Sequence, residues 1–387
     1  MAQEITRLKG ITWSHTRGYL PMIATAQRFH ELHSSVEIDW QVHSLQNFAD
    51  ASISTLAEKF DLLVLDHPSI GHAARTNALL PLDKYLRNEF LADQAHNSVG
   101  HSYDSYYYDY HQWALPIDAA APISGWRADL MSCAGAEVPT TWPELMDLAR
   151  RGLVVIPAIP VDSLCHIYML CCALGQEPFK VRGQIGEEAV VARALEMLRD
   201  LVACCDPACF SRNPIQTWDF LACSRKAAYC PFAFGYSNYS RDGYAEHPIE
   251  VGGLVSIEGR VCRSVLGGAG LAISRSSKYP EIAAQYAEYV ASPLCQRTLY
   301  FDSGGQPGYL GAWCDPEVNR RSNGFFQSTL ATLEHAYLRP RFDGYLRFHE
   351  AAGQAVHAYL TRGGSSKEVV NELNDLLMKE TSGSDSN

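Results

Sequence analysis

Acidic and imidazole side chains recur at the ends of apolar runs in this chain of 387 residues. Asp66 and His67 close the run FDLLVL, Asp118 closes ALPI, Asp162 and His166 follow LVVIPAIP, and His15 and Arg17 follow GITW. An imidazole titrates close to neutral pH, so His15, His67 and His166 have the chemistry of general acids or bases. Asp66, Asp118 and Asp162 are suited to orienting an imidazole or to accepting hydrogen bonds from ligand hydroxyls. As an enzyme (a lyase, isomerase or hydrolase) the chain would use His67, Asp66 and Asp118 as its proton-transfer set. As a binder it would use the same side chains to hold a small polar molecule. Arg17, Arg127, Arg263, Arg339 and Arg341 offer planar forks for a carboxylate or phosphate. Trp13, Phe232 and Tyr236 offer flat apolar surface, Gln46 an amide, and Gly268 a close backbone approach.

Other chemistries find little support. The cysteines of CCDPAC at 204–209 have no second CxxC or HxxxH partner, so no metal site is expected. Glycines 267, 268 and 270 lack the third glycine and the strand–turn–helix context of a dinucleotide fingerprint, and no cofactor is expected. Cys230 ends an apolar run whose low polarity raises a thiol pKa and makes it a poor nucleophile. A formal net charge of −11 with no basic run argues against nucleic acid as a partner. No stretch reaches the ~20 apolar residues that would cross a bilayer, so membrane insertion is not expected.

The elements that must position these residues are legible in the periodicity. GITW, the alternating VEIDWQV at 36–42 and FDLLVL read as strands separated by helices, the mark of a parallel open sheet. Ligands in such sheets sit beyond the carboxyl ends of the strands, which brings 14–18, 43–46 and 66–68 to one rim. Residues 113–131 read as strand, turn, strand and helix, and form a hinge where the chain leaves one lobe for another. HSYDSYYYDYHQ at 101–112 reads first as a surface hairpin, and second as an aromatic platform for a ring-shaped ligand. In TTWPEL at 140–145, Thr141 and Glu144 spell a capping box. LVVIPAIP at 153–160 reads as a strand of the second lobe, with IYMLCCALG a buried helix after it.

LPLD at 80–83, ALPID at 114–118, WRADL at 126–130, TTWPEL at 140–145, GGAGLAIS at 267–274 and RPR at 339–341 occur in an order that resembles family 1 extracellular solute-binding proteins of ABC importers, the sugar-binding, maltose-binding-protein-like kind. That resemblance implies an α/β, two-lobed, type II periplasmic-binding-protein-like fold. Each lobe would be a mainly parallel sheet flanked by helices, with the ligand in the cleft between lobes. The first lobe is expected over 1–117 and 262–315, the second over 118–261 and 316–380, with a disordered tail at 381–387. The implied function is binding of a sugar or hydroxylated acid, with Trp13, His15, Arg17, Gln46, Asp66, His67, Asp118, Asp162, His166, Phe232, Tyr236, Gly268 and Arg339 as contacts.

Two features set the chain apart from that family. Its first residues, MAQEITRLKG, do not read as a signal peptide, and its 12 cysteines suit a reducing compartment better than an oxidising one. The expectation is a cytoplasmic protein. A periplasmic location and an ABC permease as partner apply only if a leader has been removed and the chain is exported.

Overall fold

The computed structural model describes residues 5–44 and 52–382, so Gln46 lies outside the described residues. Two compact units emerge: 1–120 with 266–320 and 341–343, and 121–265 with 321–340 and 344–387. The last helix runs Ser366–Ser382, past the expected start of a disordered tail at 381.

In the first unit, β1 (Thr6–Trp13), β2 (Val36–His43) and β3 (Leu62–Leu65) follow one another, with the helix Thr16–Leu32 between the first two. Of the stretch 101–112, expected as a hairpin, Ser102–Ser105 is a helical turn, and only the short strands β4 (Tyr107–Tyr108) and β5 (His111–Gln112) pair as a hairpin. Its turn residues Asp109 and Tyr110 both have positive φ, which matches a two-residue hairpin turn to strand twist. Next comes β6 (Ala114–Ala120), then β7 (Pro122–Trp126), β8 (Tyr229–Phe234), β9 (Glu250–Gly252) and the small ribbon β10 (Ser256–Ile257) and β11 (Arg260–Val261), these last five strands in the second unit. The chain returns to the first unit in β12 (Gly267–Ile273).

The sheet of the first unit has the order β2-β1-β3-β12-β6. β1 pairs parallel with β2 and β3, whereas β12 runs antiparallel to β3 and β6. The apolar runs are continuous because both faces are covered. Leu62 and Val64 of β3 join Leu8, Met22, Phe29, Leu115 and Leu271 on one side, while Leu63 and Leu65 join Ile11, Ile70 and Trp113 on the other. Each such Leu contributes roughly 1.5–3 kcal/mol by leaving water.

The second unit departs from the mainly parallel expectation: β7 lies between β8 and β9 and is antiparallel to both. Residues 153–160 also form no strand. They touch β8 at a single bridge, Val154 to Tyr229, and Pro157 and Pro160 withhold the donors that a longer ladder would need. Pro160 instead opens the helix Pro160–Ala173, which is buried nearly throughout and packs against helices Glu188–Val202 and Tyr345–Arg362. The Thr141 capping box is present, with the Thr141 hydroxyl accepting from the Glu144 amide and the Glu144 carboxylate accepting from the Thr141 amide. Among the described residues, no helix is long and apolar enough to cross a membrane, and no group of three or more His, Cys, Asp or Glu could hold a metal ion.

Candidate functional site

The rim of the first unit is built where β1 turns into its helix. Extended backbone at His15 lets its Nδ1 accept from the Arg17 amide at 3.0 Å, capping the helix Thr16–Leu32. That bond assigns the ring proton to the other nitrogen. Burial, and then the Arg17 charge, push the His15 pKa down to about 4, so the ring is neutral at physiological pH. The cap aims the Arg17 side chain at β6. There Arg17 Nε donates to Asp118 Oδ2 at 2.8 Å and Nη2 donates to Asp118 Oδ1, a two-pronged ion pair whose side chains are 4% and 0% exposed. Burial raises the Asp118 carboxyl; Arg17 opposes the shift and Asp66 adds to it.

Asp66 and His67 stand just past β3. The Asp66 Oδ1 accepts from the His67 amide at 2.8 Å and lies 3.1 Å from His67 Nδ1. His67 is wholly enclosed, with its ring edge-on to Tyr106. Trp13 is also enclosed, in the first unit's core, and Gly18 is a glycine because a Cβ there would lie 2.3 Å from the Trp13 ring. The structure thus brings His15, Arg17, Asp66 and Asp118 together through electrostatics and hydrogen bonds, and it puts Trp13 and His67 in packed interior. The fork of Arg17 is filled by Asp118, and that carboxylate is correspondingly engaged.

Gly268 sits opposite Asp118 and Ala119 on β12, at φ +109°. A Cβ there would lie 2.4 Å from the Asp118 carbonyl oxygen, so both the backbone conformation and the space demand glycine. Gly268→Ala is expected to destabilise the first unit by at least about 2 kcal/mol, from strain plus a displaced strand. Denaturant unfolding checks this, and an unchanged midpoint would mean that β6 and β12 separate freely here. Sequence reading did not single out Gln306, whose side-chain amide donates to the Ala119 carbonyl at 2.7 Å while its backbone carbonyl accepts from the Ala119 amide at 3.2 Å. Tyr300, whose electrostatic neighbours include Asp118 and Arg17, was missed as well. Neither has a local signal, since both lie more than 180 positions from Asp118 in the chain.

The second unit holds Asp162, His166, Phe232, Tyr236 and Arg339. Asp162 and His166 occupy one face of the helix Pro160–Ala173, four positions apart. Burial pushes the Asp162 carboxyl up to about 7 against the opposing charge of Arg339, and pushes the His166 imidazole down to about 3. The His166 ring lies 5.6 Å from that of Phe232, which in turn stacks on Trp142 at 6.5 Å, another residue that sequence reading did not select. Tyr236 packs edge-on to Tyr239. Cys230 is buried and its thiol pKa is raised by that burial, as its apolar surroundings suggested.

The remaining candidate arginines are occupied within the unit that carries them. Arg127 holds Asp129 and two carbonyls, Arg263 holds Glu177 and the His335 carbonyl, and Arg341 donates to the carbonyls of Asp104 and Tyr107.

Comparison with known proteins supplies the lineage of this architecture. The family model described as bacterial extracellular solute-binding protein matches residues 24–321. Among solved structures, maltose-bound MalE3 of T. maritima superposes with a TM-score of 0.82 at 18% identity, over 97% of this chain and 99% of that one. An ABC transporter solute-binding protein from Agrobacterium radiobacter K84 in complex with ribitol gives 0.83 at 17% identity, over 98% and 100%. Another from Agrobacterium vitis S4, with bound D-mannitol, gives 0.79 at 14%, over 98% and 99%. At these identities the likeness is one of fold.

Proposed function

Because the chain belongs to the bacterial extracellular solute-binding protein family, we propose that it binds a neutral sugar or polyol and releases it chemically unchanged. The observation that carries this reading is the state of four of the five candidate arginines. Arg17, Arg127, Arg263 and Arg341 each donate to the protein's own carboxylates or carbonyls, which disfavours a carboxylate or phosphate as their cargo. Asp162, His166 and the Phe232 ring of the second unit are the groups that match hydroxyls and the apolar faces of a sugar. The structural relatives carrying maltose, ribitol and D-mannitol support the same class of ligand.

A thermal-shift panel of maltose, D-tagatose, ribitol and D-mannitol against their sugar-acid counterparts tests it. A ligand at 100 times its Kd adds about 2.7 kcal/mol of stability, an upward shift of several degrees in Tm. At least one neutral compound is expected to give that shift, and the acids none. Stabilisation by sugar acids alone would overturn the reading. The partner it implies is an ABC permease, if the chain is exported.

The cysteines support a location unlike the one in the family's description. None of the 12, all among the described residues, forms a disulfide, and several are buried in helices, which favours work in a reducing compartment. Protein isolated from its host without reductant, denatured and labelled, is expected to show twelve reactive thiols per chain. A labelling count short by pairs would place it in an oxidising compartment.

A further inference from the structure

Among the described residues, Asp162 Oδ2 and His166 Nδ1 on helix Pro160–Ala173 find no hydrogen-bond partner. Both side chains are deeply buried, at 3% and 1% exposure. A buried polar group left unmatched costs about 1–3 kcal/mol, so two on successive turns of one helix ask for a reason. Their neighbours narrow what can satisfy them. The other nitrogen of His166 donates to the Phe232 carbonyl, which leaves Nδ1 a bare acceptor. The Asp162 carboxyl feels the Arg339 charge, and its burial raises its pKa to about 7, so it carries a proton below neutral pH.

A hydroxyl, whether of water or of a ligand, fits both atoms. Helix positions four apart lie on one face with their Cβ atoms about 5–6 Å from each other, so one small group on that face serves both side chains. It donates to the imidazole lone pair and accepts from the carboxyl proton. Because the two side chains are so enclosed, the group that reaches them must be slim, and the slimmest hydroxyl of a sugar or polyol is its terminal hydroxymethyl.

Resting on the sugar or polyol reading above, we propose that Asp162 and His166 form a subsite in the second unit that takes the hydroxymethyl end of the ligand. Phe232 and Trp142 back this subsite with apolar surface, and the selectivity it confers is against ligands that lack a terminal hydroxyl. A group built to hydrogen-bond a substrate hydroxyl rejects the analogue without it, because its own polar atoms are then left unmatched.

Calorimetric titration of the full chain with ribitol, D-mannitol and 1,6-dideoxy-D-mannitol tests this. The dideoxy compound replaces both terminal hydroxyls by hydrogen, so the symmetry of mannitol offers no escape. Wild type is expected to bind ribitol or mannitol and to bind the dideoxy compound at least tenfold more weakly. His166→Phe, which keeps a ring against Phe232, is expected to lose at least tenfold for mannitol while treating mannitol and its dideoxy analogue alike. If His166→Phe does not fold, the comparison on wild type still decides. Equal binding of mannitol and the dideoxy compound by wild type would mean that water alone fills the gap, and it overturns the subsite. Failure to bind either polyol also overturns it; in that case binding of maltose or D-tagatose leaves the functional reading standing, and binding of none removes both.

Discussion

Replacing Arg17 with methionine is expected to destabilise the first unit by about 3–5 kcal/mol, because it strands a carboxylate in the interior. Asp118 has no exposed side-chain surface, and its two strongest bonds go to the one guanidinium. Without that partner, desolvation and the nearby Asp66 both push its pKa further up, so folding of the variant must either bury a bare charge or take up a proton. The sign follows: an acid whose folded pKa is raised loses stability as pH rises, so Arg17→Met is hurt more at alkaline than at acid pH. Asp118→Leu strands the guanidinium instead and is expected to cost a similar amount. The double variant, with matching apolar side chains, should recover most of either loss, since a buried ion pair is seldom more stabilising than a well-packed apolar pair. Denaturant unfolding of the four proteins, with hydrogen exchange reporting the first unit separately, measures this cycle. A loss below about 1 kcal/mol in Arg17→Met would show that Asp118 is not dependent on it.

Asp162 and His166 are expected to hide each other's pH dependence. Between about pH 4 and 6.5 the unfolded chain has a carboxylate and an imidazolium at these positions, one proton in all. The folded chain has a neutral acid and a neutral imidazole, again one proton, since burial sets the two pKa values at about 7 and about 3. Folding therefore moves the proton from nitrogen to oxygen without exchanging any with solvent, and the pair contributes no slope to stability in that window.

Asp162→Asn removes the cancellation. His166 then acts alone as a base with a depressed folded pKa, and stability is lost as pH falls from 6.5 toward about 3. His166→Phe leaves Asp162 as an acid with a raised folded pKa, whose contribution is complete below its ordinary value of 3.8 and is lost as pH rises through about 7. Each slope approaches 1.36 kcal/mol per pH unit, so across a window roughly three pH units wide each variant's stability changes by about 4 kcal/mol. Unfolding free energies of wild type and both variants at pH 4, 5, 6 and 7 decide the matter, and parallel curves for the two variants would refute opposed titrations.

Much of this protein is written locally. The strands of the first unit are legible as unbroken apolar runs because both faces of the sheet are covered, and β3 divides its four residues alternately between two clusters. The capping box at Thr141 and the hairpin at 107–112 depend on residues a few positions apart, so spacing alone reveals them. Proline, too, acts locally, yet its effect at 157 and 160 was hidden by the apolar residues around it. That stretch has the composition of a strand without the donors.

The candidate site is another matter. The acids and imidazoles could be named from sequence, because rare polar residues at the ends of apolar runs stand out. Which of them pair, and which are sealed away, could not. Arg17 meets Asp118 across 101 positions, and His67 is enclosed by a tyrosine 39 residues further on. Composition and periodicity are enough to dictate which segments bury an apolar face. Which charge meets which is settled only when the sheet order β2-β1-β3-β12-β6 brings distant strands side by side, since Coulomb attraction and desolvation depend on position in space and not on place in the chain.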